Sequence, residues 1–430
     1  FINASITEKI KDDKIDFEIN ISESEKFYIE KININGNFNT LEEVIRNNLI
    51  VDEGDPFNEI LFNKSINNIQ SLGIFKKVDT NVQKGSQDTF KVIDLDVEER
   101  PTGEISVTAG FGTAGESIGA GLKENNFLGK GVNLNTNFEI TADSLKGQFI
   151  YAKPNFNYSD NTLFTSLKSS TSDFLNNSGY KTSELGFSVG TRFEQFQNIY
   201  LSPELDFLIE DLETSNKASK TIKKQEGSYT DLYFNYSINQ DLRDKKFRTE
   251  DGYVTTFSQE IPIVSDNAEF SNAFEVTKYK KLSTTSNMVG KISFFGKTVT
   301  GLNDDVRISK RLNIPSSRLR GFQSGKVGPI ENNDYIGGNH LSSLNLSATL
   351  PNIVQGLDNL DVGVFIDAAN VWGVDYDSSL DDKSAIRSST GVALNLLTPI
   401  GPLSFSFANA LSQASSDKTE TFRFNLGTQF

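Results

Sequence analysis

Few residues of this chain have types and spacings that could do chemistry, and most fail on context. Gly110, Gly112 and Gly115 spell GxGxxG after a strand-like run, a pattern that cradles phosphate when a helix follows. Here "ESIGAGLKE" (116–124) alternates instead of turning helical, so the glycines belong to a hairpin. "GKT" at 296–298 has Lys291 where a phosphate-binding loop needs its first glycine. The lone histidine, His340, has Asp334 and Ser342 nearby in sequence but no further partner for a triad or a metal. With no cysteine, disulfides and thiolate metal sites are excluded. No catalytic residue, metal site or cofactor is therefore assigned.

One run remains. "SSRLRGFQSG" (316–325) places Arg318 and Arg320 in an acidic chain of net charge −15. It sits in a stretch of about 298–338 that lacks alternation and is punctuated by glycine and proline. Segments of that length without regular structure are functional or disordered. A guanidinium screened from water needs a carboxylate, which it can grip with two parallel hydrogen bonds.

The elements that must position this run come next. Hydrophobic residues make up 37% of the 430-residue chain, and mean hydropathy is −0.37. No run of 18 apolar residues is present, which excludes a membrane-spanning helix. The acid excess argues against a nucleic-acid binder. No signal peptide opens the chain, which starts directly as a strand and reads as part of a longer mature protein.

In "KIDFEINISES" (14–24), Ile15, Phe17, Ile19 and Ile21 share one face of a strand. Similar text returns as "KVIDLDVEER" (91–100), so residues 1–25 read as the end of a repeat whose full copy spans 26–100. That copy starts with a strand over 27–37. Thr40 to Glu43 has capping-box spacing for a short helix to about Leu49. Asp55-Pro56 then predicts the start of a second helix, carrying Phe62, Ile66, Ile69 and Leu72 and ended by Gly73. Strands near 74–84 and 89–99 complete β-α-α-β-β. This order, with the "SLGIFKKV" connector (71–78), resembles a POTRA domain, whose strand edge could bind extended peptide.

From Pro101 onward the period is 2. Leu185, Phe187, Val189, Thr191 and Phe193 alternate with Gly186, Ser188, Gly190 and Arg192, and the same grammar recurs to the C-terminus. About sixteen such runs are counted, near the length needed to cross an outer membrane. Even-numbered connections, such as 213–227 and 373–386, are expected to be long and polar, and odd ones, such as "TPIGP" (398–402), tight. The reading is mainly β: a sixteen-stranded antiparallel transmembrane barrel over 101–430, preceded by the small POTRA domain. The arginine run then falls between the eleventh and twelfth strands. In "LDVGVFIDA" (360–368), Leu360, Val362, Val364 and Ile366 face lipid, while Phe365 and Asp367 face the lumen. The loop is expected to fold inward and pair Arg320 with Asp367. Gly321 would allow close passage by the wall, and Phe322 would anchor it.

Together "RLRGFQSG" with Gly328-Pro329, "IGGN" (336–339), "FIDAANVWG" (365–373), "LNLLTPIGPLSFSFA" (394–408) and "FRFNLGTQF" (422–430) resemble the BamA family of outer-membrane assembly barrels. Ala369 departs from the glycine common in that family two residues after the aspartate. The resemblance implies the same Arg320–Asp367 contact. It also implies a Gram-negative outer-membrane location with the POTRA domain in the periplasm. The partners it implies are unfolded outer-membrane proteins, accessory lipoproteins and the bilayer. Clients would enter through a lateral seam between the first strand (about 104–112) and the last (about 421–430), with Thr108, Gly110, Asn425 and Gly427 as candidate seam residues in a register the sequence leaves open, and Phe430 ending the edge. A polypeptide-exporting or autotransporter-assembling barrel of the same superfamily is the alternative, and a passive porin a more distant one.

Overall fold

The computed structural model describes residues 2–426 except 12–13, 24, 114, 177, 247, 284–285, 287, 351–358, 381–384 and 399–400. The chain divides into two compact units, residues 1–103 with 123–133, and residues 104–122 with 134–430.

The first unit opens with a hairpin, Ile2–Lys11 against Lys14–Glu23, whose Phe17, Ile19 and Ile21 are exposed. A three-stranded sheet follows, with Phe90–Glu99 in the centre. Tyr28–Asn35 pairs with it in parallel, and Phe75–Lys84 antiparallel. Helices Glu42–Arg46 and Glu59–Ser71 lie between the first two of these strands in sequence. Their Ile45, Phe62 and Ile69 are buried with Ile29, Ile32, Ile93, Leu95 and Val97, as helical and alternating spacing require.

Both helix starts differ from the expected ones. Thr40 caps nothing; its N–H donates to Glu99 at 2.6 Å, and the first helix begins one residue later without a side-chain cap. Glu99 also accepts the Asn39 N–H, and so ties the helix entry to the central strand. The second helix starts three residues beyond Pro56, where Asn58 accepts the N–H groups of Ile60 and Leu61. A side chain that reaches two donors satisfies more of the helix's orphan N–H groups than the Asp-Pro pair can.

The second unit is built on a closed barrel, sixteen strands among the described residues. The first eight are Gly103–Gly112, Gly115–Phe127, Val132–Thr141, Ser144–Lys153, Thr162–Phe174, Tyr180–Phe196, Ile199–Thr214 and Gly227–Asp241. The ninth to sixteenth are Gly252–Ser265, Glu269–Lys281, Val289–Gly301, His340–Thr349, Leu360–Trp372, Arg387–Thr398, Gly401–Ser412 and Phe422–Leu426. The pleat sends alternate side chains outward, so Leu185 and Phe187 are exposed to the lipid side while Ser188 of the same strand is buried on the other.

The parity of the connections is the reverse of the expectation. Counted from Gly103–Gly112, the long ones are odd: 215–226 is the seventh, 302–339 the eleventh and 373–386 the thirteenth. An antiparallel meander alternates its connections between two rims, so the parity depends only on where counting starts. The inward loop is also shorter than 298–338 at its start. Lys297 and Thr298 still pair with Leu341 and His340, and hydrogen bonding keeps the strand regular to Gly301. Inside the loop, Ile330–Glu331 and Asp334–Tyr335 form a miniature hairpin around Asn332 and Asn333, both at positive φ.

Candidate functional site

The loop from 302 to 339 lies packed against the inner wall, held first by charge. Arg320 donates to Asp367 through Nε and Nη2, both at 2.7 Å, and through its backbone N–H at 3.1 Å. Asn345 on the twelfth strand donates to the same carboxylate at 2.8 Å and to the Arg318 carbonyl at 2.8 Å. Asp367 is fully buried, and four donors compensate its desolvation. The guanidinium carbon of Arg320 lies 3.4 Å from the centre of the Phe365 ring, and that of Arg318 lies 3.8 Å from the Phe295 ring. Aromatic faces accept cations in this way where water is scarce.

Around the arginine the loop is apolar. Phe322, 1% exposed, packs with Ile314, Leu319, Val327, Leu341, Ala369 and Val371. Ala369 is therefore a core contact; a glycine there would remove a methyl group from this cluster. Gly321 has φ +88°, and a Cβ at that position would lie 3.1 Å from Ala408 and 3.3 Å from Ser389. Both the backbone conformation and the space call for glycine.

Three further arginines were not visible as site residues in the sequence. Arg307, at the start of the loop, is fully buried among strands seven, eight and ten. It donates to Glu269 twice at 2.8 Å, to Asp231 at 2.7 Å and to Glu210 at 3.1 Å, and its guanidinium faces the Tyr229 ring. Burial opposes its charge, but the carboxylates of Glu269, Glu210 and Asp231 outweigh it and raise its pKa. The available signal was three carboxylates at lumen-facing positions of the alternation, which require a cation. Arg387 on the fourteenth strand forks onto Asp417 at 2.9 and 3.0 Å, and Arg423 on the sixteenth contacts Glu420 and the Phe322 carbonyl. The 215–226 connection carries a short helix, Lys220–Lys223, whose Ile222 is buried with Tyr180, Ile308 and Ile336. His340 opens the twelfth strand, its ring 5.5 Å from that of Trp372. Among the described residues no group of three or more metal-ligating side chains occurs.

The barrel closes by pairing its last strand with its first. Strands fourteen and fifteen pair from Ser388 to Thr398. Between strands sixteen and one, the described pairing is limited to Asn425 with Gly112 and Leu426 with Phe111. The Thr113 N–H adds a bond to the Phe424 carbonyl at 3.2 Å. The register, open from the sequence, places Asn425 opposite Gly112, with Thr108 and Gly110 further back on the first strand. Gly427 and Phe430 lie outside the described residues. On the outer face, Phe111 and Phe424 meet across the closure with ring centres 5.8 Å apart.

Comparison with known proteins matches residues 126–430 to the Omp85 superfamily domain, and residues 27–100 to POTRA, the surface antigen variable number repeat. The outer membrane protein assembly factor BamA of Neisseria meningitidis is 26% identical over 97% of this chain and 58% of its own length. BamA of Neorickettsia risticii is 25% identical over 97% of this chain and 57% of its own. The chain thus spans less than two thirds of these relatives. The crystal structure of Haemophilus ducreyi BamA lacking POTRA domains 1–3 has a TM-score of 0.83 at 22% identity, covering 100% of this chain and 90% of that one. CdiB from Acinetobacter baumannii gives 0.60 at 12% identity, covering 99% and 78%.

Proposed function

The chain belongs to the Omp85 superfamily, and from that premise we propose that it is an outer-membrane protein assembly factor. It receives unfolded β-barrel precursors in the periplasm, through its POTRA domain, and promotes their folding into the outer membrane through the seam between strands one and sixteen. Accessory outer-membrane lipoproteins are its expected partners. The likeness to BamA proteins along nearly the whole chain supports this reading.

The carrying observation is that the barrel closes by pairing its last strand with its first, Asn425 with Gly112 and Leu426 with Phe111, so that parting this one ladder would open the wall. An edge with unpaired N–H and C=O groups is a template for an incoming strand. Insertion needs no fuel, because burying lipid-facing side chains and closing backbone hydrogen bonds runs downhill. The protein's contribution is kinetic: it offers an edge where the client can pair before it meets lipid. The docked loop, held to strand thirteen by Arg320 on Asp367, also bonds to residues 418–420 on the approach to that edge. The sheet edge of Phe75–Lys84 offers a comparable backbone row to extended precursors.

The test is a lock on the seam. The chain has no cysteine, so Phe111→Cys with Leu426→Cys places the only two thiols on a registered cross-strand pair. Oxidation should stop assembly of a client in reconstituted vesicles, and reduction should restore it. A control lock at Val392→Cys with Phe407→Cys, between strands fourteen and fifteen, should be harmless. Normal assembly by a fully locked seam would sink this reading and favour export of polypeptide through the lumen.

A further inference from the structure

The connection from 413 to 421, leading into the last strand, is tied down along its length. Arg387 grips Asp417, which also accepts the Ala414 N–H at 2.7 Å. The residues after it pair with the docked loop as a short ladder. Lys418 donates to the Lys326 carbonyl at 3.0 Å, Gln323 to the Lys418 carbonyl at 2.9 Å, and Glu420 to the Gly321 carbonyl at 2.9 Å. Arg423, on the lumen side of strand sixteen, then reaches back. Its Nη2 donates to the Phe322 carbonyl at 2.8 Å, while Nε donates to Glu420 at 2.9 Å. Its side chain is 10% exposed.

Two residues beyond Arg423 the chain enters the seam, at Asn425 and Leu426. An extended backbone carries a displacement over two residues, roughly 7 Å, almost undiminished. Strand sixteen pairs with strand fifteen on one side and with strand one on the other. The loop supplies a third support, from the lumen, at the arginine-glycine-phenylalanine run itself. We propose that Arg423 is a positioning residue that latches strand sixteen to the docked loop, so that docking of the loop sets the register of the seam edge. A guanidinium suits the task because its planar fork spans two acceptors on separate segments, a carbonyl and a carboxylate. Lysine can satisfy one of them well. Arg320 and Arg423 then act in series: the first holds the loop to strand thirteen, the second holds strand sixteen to the loop.

The consequence for assembly rests on the seam reading above, but the test does not. The full chain carrying Phe111→Cys and Leu426→Cys is placed in lipid vesicles without client, and the rate of disulfide formation is measured. Adding Arg423→Met should lower that rate about tenfold, the effect of losing one hydrogen bond to a charged group. Arg423→Lys should recover part of it. Arg320→Ala should give a similar drop, and the double variant no further one. Disulfide formation at Val392→Cys with Phe407→Cys should be unaffected throughout. An unchanged seam rate in Arg423→Met, or strictly additive effects with Arg320→Ala, overturns the latch. If Arg423→Met fails to fold, the Arg423→Lys rate decides, and equality with the parent chain overturns the proposal. A seam that assembles clients while locked would sink the functional reading and leave the latch standing; an unchanged crosslinking rate would do the reverse.

Discussion

The two halves of the long loop are held by the same residue type in opposite circumstances. In the first half, Arg307 is fully buried and shared by three carboxylates from strands seven, eight and ten. In the second half, Arg320 meets one carboxylate on strand thirteen and is 22% exposed, and its neighbours pair with the approach to the seam. A cation inside an over-complete set of carboxylates has no alternative partner and no water to exchange with. A cation forked onto a single carboxylate can leave as a unit. The first is an anchor on three carboxylates and the second a clamp on one, and the difference lies in the number of acceptors and the burial of the guanidinium.

Removing the anchor should have the largest effect. Arg307→Ala takes the cation from buried Asp231 and Glu269 and leaves Glu210 with only Lys310, 3.9 Å away, where breaking even one buried pair costs about 3–5 kcal/mol. The expected outcome is a chain that does not reach the folded barrel, read by loss of the compact species on electrophoresis without heating. A barrel that folds normally would make the two halves equivalent and erase the contrast.

The clamp should cost less and leave a barrel. Arg320→Ala should destabilise by at most about 3–5 kcal/mol, less where lumen water reaches Asp367. Thermal unfolding followed by the fluorescence of Trp372, the chain's single tryptophan, gives the number. Asp367→Ala should match it, and the double variant should be no worse than either. Additive losses would show that the two residues act separately.

The smallest effect concerns Arg311, between Arg307 and Arg320 in the chain, which contacts Asp375 on the 373–386 connection. Burial would raise the Asp375 carboxyl, but the Val306 N–H at 2.8 Å and the Arg311 guanidinium prevail and hold it below the ordinary aspartate value. A lowered folded-state pKa contributes stability that is complete above the unfolded value, about 3.9, and is lost as pH falls through the lowered one. Asp375→Asn should remove this acid-range dependence and cost about 1 kcal/mol at neutral pH, a charge-assisted bond discounted for partial exposure. A pH profile identical to the parent's would show that Asp375 makes no contribution.

Much of this architecture is legible in the chain, and for local reasons. A strand's pleat imposes period 2 on any wall with lipid on one side and water on the other. The run from Leu185 to Phe193 therefore reads as barrel without any contact being known. The helix carrying Phe62, Ile66 and Ile69 is equally plain from its spacing. Boundaries set by capping were less so, because Thr40 and Asp55 carry the right groups but Glu99 and Asn58 take the bonds. Asp367 was legible as a lumen carboxylate, and an arginine in an irregular stretch was a natural partner.

The sequence by itself determined the alternating wall, the small αβ domain before it, and the glycine-bounded loop that interrupts them. Each is written within a window of some ten residues, where backbone periodicity converts side-chain order directly into faces. Only the tertiary structure decided which charges meet. Arg307 lies 97, 76 and 38 positions from its three carboxylates, and Arg423 lies 101 from the carbonyl it holds. Those meetings depend on strand register around the barrel and on the path of one loop across its lumen. Neither quantity exists in any short stretch of sequence, because each is a sum over every strand between the partners.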